Sequence, residues 1–208
     1  MNTNSIITVG REFGSGGKEI GEKLAASFGI KFYDKELLAV AAKESGLCQE
    51  IFDAHDERPT NSFLYSLVMN TSSVGYFSNP YLDMPLDQRV FLAQFDAIKK
   101  LANQGPCVIV GRCADYALAD YPNCISVFIQ APLEDRIKRI SAKNNIAEGA
   151  AKDLILKTDK KRASYYNFYS NKKWGDCASY DLSVNSSILG IDKTVEYIKS
   201  FIEMKEQK

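Results

Sequence analysis

The amino-acid sequence predicts an α/β fold in which helices flank a five-stranded, mainly parallel sheet. Short apolar runs alternate along the chain with longer segments whose apolar residues recur at helical spacing. Residues 107–110 are apolar throughout and 125–129 nearly so, as expected of strands buried on both faces. A glycine-rich turn separates the first apolar run from the first helical segment. This alternation is typical of α/β proteins with a parallel sheet.

The elements follow from the same patterns in chain order. Strands are predicted at residues 6–9, 31–34, 107–110, 125–129 and 180–185. Helices are predicted at residues 20–28, 37–42, 86–103, 132–143, 147–170 and 192–204. Residues 52–87 contain three prolines and little periodicity, so we expect helical pieces joined by loops there.

Composition limits the classes of partner. The 208 residues carry 26 basic and 26 acidic side chains, so we expect neither a general nucleic-acid binder nor a membrane-surface protein. The polar start of the chain shows no signal peptide, and no apolar run approaches the ~20 residues of a membrane helix. Five cysteines without a CxxC pair, and one histidine, indicate reduced thiols, no metal site and a cytoplasmic location.

The glycine-rich turn at residues 10–19 is the strongest candidate for a phosphate-binding loop. Glycines let backbone N–H groups point at phosphate oxygens, and a helix N-terminus adds partial positive charge. The simpler interpretation is a tight strand-to-helix turn. Four glycines, a serine and flanking cations are more than such a turn needs.

The turn departs from the common pattern GxxxxGK[ST]. With Lys18 set on the lysine, glutamate occupies two positions where Gly and Ser/Thr are expected. In an ungapped GxxGSGKGT register, Gly17 falls on the lysine, Glu19 on the threonine and Arg11 on the first glycine. Lys18 or Arg11 must then supply the missing charge, and Glu19 either faces magnesium or repels phosphate.

Arginines recur where ligands bind in open α/β sheets, and their planar groups hold phosphate oxygens in pairs. These are Arg11, Arg112, Arg136, Arg139 and Arg162. Arg136 and Arg139 could instead lie on a solvated helix face paired with Glu134 or Asp135. Asp34 could likewise be a helix N-cap. We expect His55 to be a surface residue.

The segment from Ile7 to Ile20, ITVGREFGSGGKEI, resembles the cytidylate kinase-like family, a divergent branch beside the bacterial cytidylate kinases. Further landmarks span roughly residues 6–200: FYDKEL at 32–37, VIVGR at 108–112, DKKR at 159–162 and YDLSVNS at 180–186.

The resemblance implies one P-loop nucleoside monophosphate kinase domain over residues 1–208, with 52–87 as an acceptor-side helical insert and a helical lid at about 140–175. It implies ATP and Mg²⁺ as cofactors, small-molecule nucleotides as partners, and phosphoryl transfer to a pyrimidine monophosphate such as CMP or dCMP. By position, the donor phosphates would contact Arg11, Gly14, Ser15, Gly16, Gly17, Lys18 and Glu19. The acceptor would contact Asp34, Arg112, Arg136, Asp159 and Arg162. The catalytic set would be Lys18, Arg112, Arg139 and Arg162.

Departures from the cytidylate kinases leave two alternatives open. Where those kinases have the triplet GRD, this sequence has Gly111-Arg112-Cys113, and the next aspartate is Asp115, two residues further along the chain. The altered phosphate loop would suit a nucleotide-binding regulatory protein with little catalysis. The unusual segment 52–87 would suit a kinase for a non-nucleotide small molecule.

Overall fold

The computed structural model describes residues 3–57 and 85–207. Within them, five parallel strands form one sheet in the order β2-β3-β1-β4-β5. The strands are β1 (Ile6–Arg11), β2 (Lys31–Tyr33), β3 (Cys107–Val110), β4 (Cys124–Gln130) and β5 (Leu182–Asn185). The predicted fold class is therefore confirmed.

Helices connect successive strands. They are α1 (Gly17–Phe28), α2 (Glu36–Ser45), α3 (Gln49–His55), α4 (Leu86–Ala102), α5 (Ala114–Ala117), α6 (Leu133–Asn144), α7 (Glu148–Ser170) and α8 (Ser186–Glu206). A 3₁₀ turn at Cys177–Ser179 precedes β5. Among the described residues, no helix has both the length and the apolar character needed to cross a membrane.

Alternate residues of the strands point to opposite faces of the sheet and form two cores. On one face Ile6 and Ile109 pack with residues of α2, α4 and α5. On the other face Ile7 and Val110 pack with residues of α1 and α8. Both faces are covered, which explains why the central strands are apolar throughout.

Helix α7 contacts two different parts of the protein. Near its start, Ala151 and Ile155 are buried with Ile140 of α6. Near its end, Tyr165 and Tyr166 are buried in an aromatic cluster with Phe91 of α4 and Cys113. The 23-residue helix is therefore anchored at both ends, and between them Asp159 contacts the Phe13 N–H and Arg162 contacts the carbonyl of Arg11 at the end of β1.

Several predicted boundaries were wrong. Strand β1 extends through Arg11, which places that side chain at the strand's carboxyl end. Helix α8 begins at Ser186 rather than 192, with a non-helical Gly190 at φ 73° where two helical pieces join. The irregular segment predicted at 52–87 falls mostly outside the described residues; those described there belong to α3, its end and the start of α4.

Candidate active site

A large cleft lies at the carboxyl ends of β1 and β3, beside the centre of the sheet. It encloses about 1510 Å³, part of it open to solvent. In open α/β sheets this edge is where ligands bind. The cleft brings together most of the predicted site residues: Arg11, Gly14, Gly16, Gly17, Lys18, Glu19, Asp34, Arg112, Arg139 and Arg162.

The glycine-rich turn wraps around the N-terminus of α1. Gly14 and Gly16 have positive φ values of 84° and 83°, a conformation that residues with a Cβ rarely adopt. Gly16 is the N-cap of α1, so the helix begins at Gly17 with its first N–H groups at the cleft. The turn therefore has the geometry of an anion-binding loop.

The same turn is held from below by side chains of the protein. Ser15 is buried, and its hydroxyl donates to the Glu12 carbonyl at 2.9 Å. The Ser186 hydroxyl donates to the Ser15 carbonyl at 2.6 Å, and the Asp159 carboxylate accepts from the Phe13 N–H at 2.7 Å. These contacts make the side chain of Ser15 part of the loop's support, while the cleft is lined by its neighbours.

Arg112 is the most buried cation of the cleft, with a side chain 2% exposed. Its Nε and Nη2 donate to the two carboxylate oxygens of Asp56 at 2.9 and 2.8 Å. Its Nη1 donates to the Asp34 carbonyl at 2.9 Å and to the Asp34 carboxylate at 3.2 Å. Arg112 itself has a positive φ of 54°, so a strained backbone position directs it into the cleft.

Asp34 is a partner of two cations rather than a helix cap. The N-cap of α2 is Lys35, and the Asp34 carboxylate contacts Lys18 Nζ at 3.0 Å as well as Arg112. The N-cap interpretation was therefore wrong. Burial opposes ionisation of Asp34, but Arg112 and Lys18 hold its pKa below the ordinary value, so the carboxylate is charged.

Glu57 lies between two arginines. Its carboxylate accepts from Arg11 Nη1 at 2.8 Å and from Arg162 Nε at 3.1 Å. Burial alone would raise the pKa of Glu57, yet Arg11, Arg162 and Arg112 hold it far below the ordinary value. Arg162 also donates to the Arg11 carbonyl at 3.3 Å and lies over the Phe13 ring at 5.6 Å. Burial and the neighbouring Arg11 lower the pKa of Arg162.

Arg136 lies beneath the glycine-rich turn. It is 7% exposed, pairs with Asp159 and donates to the Phe13 carbonyl at 3.3 Å. It also approaches Glu12 at 3.5 Å, and burial raises the pKa of that glutamate. The solvated-face interpretation was therefore wrong for Arg136. Arg136 and Asp159, both expected at the acceptor, contact each other and the turn.

Arg139 and Glu19 lie at the rim of the cleft. Arg139 Nη1 donates to the Gly14 carbonyl at 2.5 Å, and the residue lines the cleft. Glu19 is half exposed in the first turn of α1 and pairs with Lys23 at 3.3 Å. His55, expected at the surface, is partly buried at the end of α3 with its Nδ1 2.5 Å from Asp87.

Asp56 and Glu57 are site residues that the sequence analysis missed. They follow α3, within a segment that showed no regular pattern, and their partners Arg112 and Arg11 are 56 and 46 residues away. The available signal was indirect: buried arginines require carboxylates close by, and this acidic doublet sits beside the end of a predicted helical piece.

Comparison with known proteins agrees with this geometry. Residues 6–188 match the sequence profile of the cytidylate kinase-like family. The chain is 25% identical over 203 residues to a cytidylate kinase of Ignicoccus hospitalis, covering 95% of this chain and 99% of that one. It is 24% identical over 207 residues to a cytidylate kinase of Methanopyrus kandleri, covering 95% and 93%.

Solved structures show the same fold. A protein of Eubacterium ventriosum described as uncharacterized is 32% identical, with a TM-score of 0.72 and coverage of 96% and 98%. Shikimate kinase of Bacteroides thetaiotaomicron, 14% identical with a TM-score of 0.56 and the same coverage, shares the P-loop kinase fold. The glycine-rich turn, the parallel sheet and the match over residues 6–188 together assign the chain to the cytidylate kinase-like family.

Proposed function

We propose that the protein transfers the γ-phosphoryl group of Mg-ATP to a pyrimidine nucleoside monophosphate, with CMP or dCMP as the preferred acceptor. One observation carries the proposal: Arg11, Arg112 and Arg162 converge on the same cleft as an anion-binding loop. Phosphoryl transfer needs two phosphate groups held in line and the charge of the moving group neutralised, with little covalent chemistry. The family supplies the reaction class, and the low identity to the cytidylate kinases leaves the acceptor to experiment.

The donor would bind along the glycine-rich turn. The N–H groups of the turn and of the α1 N-terminus would hold the phosphates, with Arg139 and Lys18 at the rim of the cleft. Mg²⁺ arrives with ATP and is usually held by one or two carboxylates, water and phosphate. Glu19 is a carboxylate at this rim that could accept a hydrogen bond from a magnesium-bound water.

The acceptor phosphate would bind between Arg112 and Arg162. In the structure, Arg112 donates to the carboxylate of Asp56, and Arg162 donates to the carboxylate of Glu57. A phosphate offers the same acceptor geometry with more negative charge, so it can exchange with these carboxylates. Asp34 would then keep Arg112 oriented, because it contacts a different nitrogen of the guanidinium group.

Arg136 and Asp159 would act as positioning residues. Together they fix the backbone of Phe13, within the turn and directly before Gly14. Helix α7 would be part of the lid region at about 140–175, which closes over ATP and excludes water. Its exposed basic residues Lys157, Lys160 and Lys161 lie outside the cleft lining.

A nucleotide-binding regulatory role is the second candidate. The specific observation in its favour is that Arg11, Arg112, Arg162 and Lys18 all already pair with carboxylates. Each pair must open before phosphate can bind, which would slow or prevent turnover.

The test is ADP release from Mg-ATP against CMP, dCMP, UMP, AMP and GMP. The two variants compared are Arg162→Ala and, as a matched control on the same helix, the exposed Lys161→Ala. We expect release with CMP or dCMP, loss in Arg162→Ala and retention in Lys161→Ala. ATP binding without release for any monophosphate would refute the kinase proposal, and a panel of non-nucleotide alcohols would then be assayed.

A further inference from the structure

The side chain of Arg11 occupies the space beside Gly17. A Cβ atom on Gly17 would lie 2.5 Å from Arg11 Cβ, a distance that real Cβ atoms essentially never show, and 3.1 Å from Arg11 Cγ, which is a tight contact. Gly17 is the buried first residue of α1, and its φ is not positive. Its backbone conformation therefore suits any residue. Glycine at position 17 instead leaves room for the side chain of Arg11.

A second glycine makes room for the other end of Arg11. A Cβ atom on Gly111 would lie 2.0 Å from Arg11 Nη1. The arginine thus leaves the end of β1, crosses the N-terminus of α1 beside Gly17 and ends against Gly111 and Glu57. Its side chain is 11% exposed, so this path is a packed feature of the cleft floor.

We propose that Arg11 supplies the phosphate-binding charge that a lysine at position 17 supplies in GxxGSGKGT loops, and that Gly17 is required because the two side chains share one space. This proposal rests on the proposed function for its ligand, the polyphosphate of ATP. In such loops the lysine reaches the β- and γ-phosphates from the helix. Here the cation reaches the same cleft from the preceding strand. Arg11 stands in place of the first glycine of GxxGSGKGT, and Gly17 stands in place of its lysine. Each of these two differences requires the other.

Lys18 is less suited to this role. Its side chain is 52% exposed, and its ammonium lies 3.0 Å from Asp34 and 3.8 Å from Glu22. The Cβ and Cγ of Arg11 instead lie beside Gly17 at the start of the helix, and its guanidinium lies against Gly111 and Glu57 in the same cleft. The partner of Arg11, Glu57, is shared with Arg162, so phosphate that binds Arg11 would take the place of this carboxylate.

The shared space is tested by thermal unfolding, without any substrate. Alanine is the better helix former, so Gly17→Ala should lower the melting temperature only if it clashes with Arg11. We expect a lowered melting temperature in the wild-type background and none in the Arg11→Gly background. Gly149→Ala is the matched control, since a Cβ there meets no described atom within 4 Å. Equal effects of Gly17→Ala in both backgrounds would overturn the shared space.

The charge is tested by calorimetric binding of Mg-ATP in the absence of acceptor. We expect Arg11→Gly to weaken binding by about 10- to 100-fold, the loss of one charged hydrogen-bonding group. The double variant Arg11→Gly/Gly17→Lys should recover most of it, and Lys18→Ala should lose less than Arg11→Gly. The reverse order, or no recovery, overturns the proposal. A wild type that binds ATP but releases no ADP refutes only the kinase function; a wild type that binds no ATP refutes both proposals.

Discussion

The Glu57→Gln substitution removes the negative charge that neutralises Arg11 and Arg162 in the cleft. The carboxylate lies 2.8 Å from Arg11 and 3.1 Å from Arg162 and is buried. At an effective dielectric constant of ~20 each contact is worth about 5–6 kcal/mol of attraction, most of it offset by desolvation. Removing one partner of a buried pair leaves the other charge uncompensated, which costs about 3–5 kcal/mol. We therefore expect Glu57→Gln to melt roughly 6–20 °C lower, at about 2–4 °C per kcal/mol.

The assay is thermal unfolding as a function of phosphate and pH. Added phosphate or pyrophosphate should stabilise Glu57→Gln more than the wild type, because the freed arginines bind the anion in place of the carboxylate. The pKa of Glu57 is lowered in the fold, so its stabilisation is fully present above the ordinary value of 4.5 and declines as the pH falls below it. The difference between the two proteins should therefore be constant from pH 7 to about pH 5 and narrow below pH 4.5.

The control is Glu203→Gln, which removes a surface pair with Lys199 at 4.0 Å and should cost less than about 1 kcal/mol. A Glu57→Gln protein as stable as the wild type, with no greater response to phosphate, would show that Glu57 does not balance these arginines.

Three further substitutions test neighbouring contacts. Burial raises the pKa of Asp115 above its ordinary value of 3.8. The folded protein therefore becomes less stable as the pH rises from this ordinary value through the raised pKa, because the buried carboxyl must then ionise. Asp115→Asn should abolish this fall and leave the protein at least as stable at pH 7, measured by thermal melts, since the amide oxygen can still accept from Tyr166 at 2.6 Å. Arg112→Lys keeps the charge but loses the paired hydrogen bonds, so urea unfolding should show a loss of about 1–3 kcal/mol and the KM for the acceptor should rise. Ser186→Ala removes the 2.6 Å hydrogen bond to the Ser15 carbonyl, which should cost about 1 kcal/mol and weaken calorimetric ATP binding.

The fold could be predicted because burial leaves a local signal. The apolar runs at residues 107–110 and 125–129 lie in strands β3 and β4, between the two cores, and this pattern can be found without knowledge of the partners. The start of α8 was wrong because Gly190, with its positive φ, separates a short first piece from the periodic part of the helix. A helical pattern identified from periodicity does not include such a piece.

The candidate site could be predicted only in part, for a similar reason. Arg11, Arg112, Arg136 and Arg139 were found because they follow strands or share a helix face, and Arg162 was found through the resemblance of the DKKR segment to the family. Their partners depend on distant segments of the chain. Neighbours in sequence suggested Glu134 or Asp135 for Arg136, whereas burial brings it to Asp159, 23 residues away, and to Glu12. The pairing of Arg112 with Asp56 has the same long-range character.

Helix α7 carries both of the contacts that frame the cleft. Asp159 accepts from the backbone N–H of Phe13, within the glycine-rich turn, and Arg162, about one turn later on the same helix, pairs with Glu57. A rigid helix cannot shift one of these contacts without moving the other. A movement of the helix that separates Arg162 from Glu57 therefore also displaces Asp159 and the Phe13 backbone that it contacts. The helix thus couples the position of the glycine-rich turn to the pairing of Arg162 with Glu57.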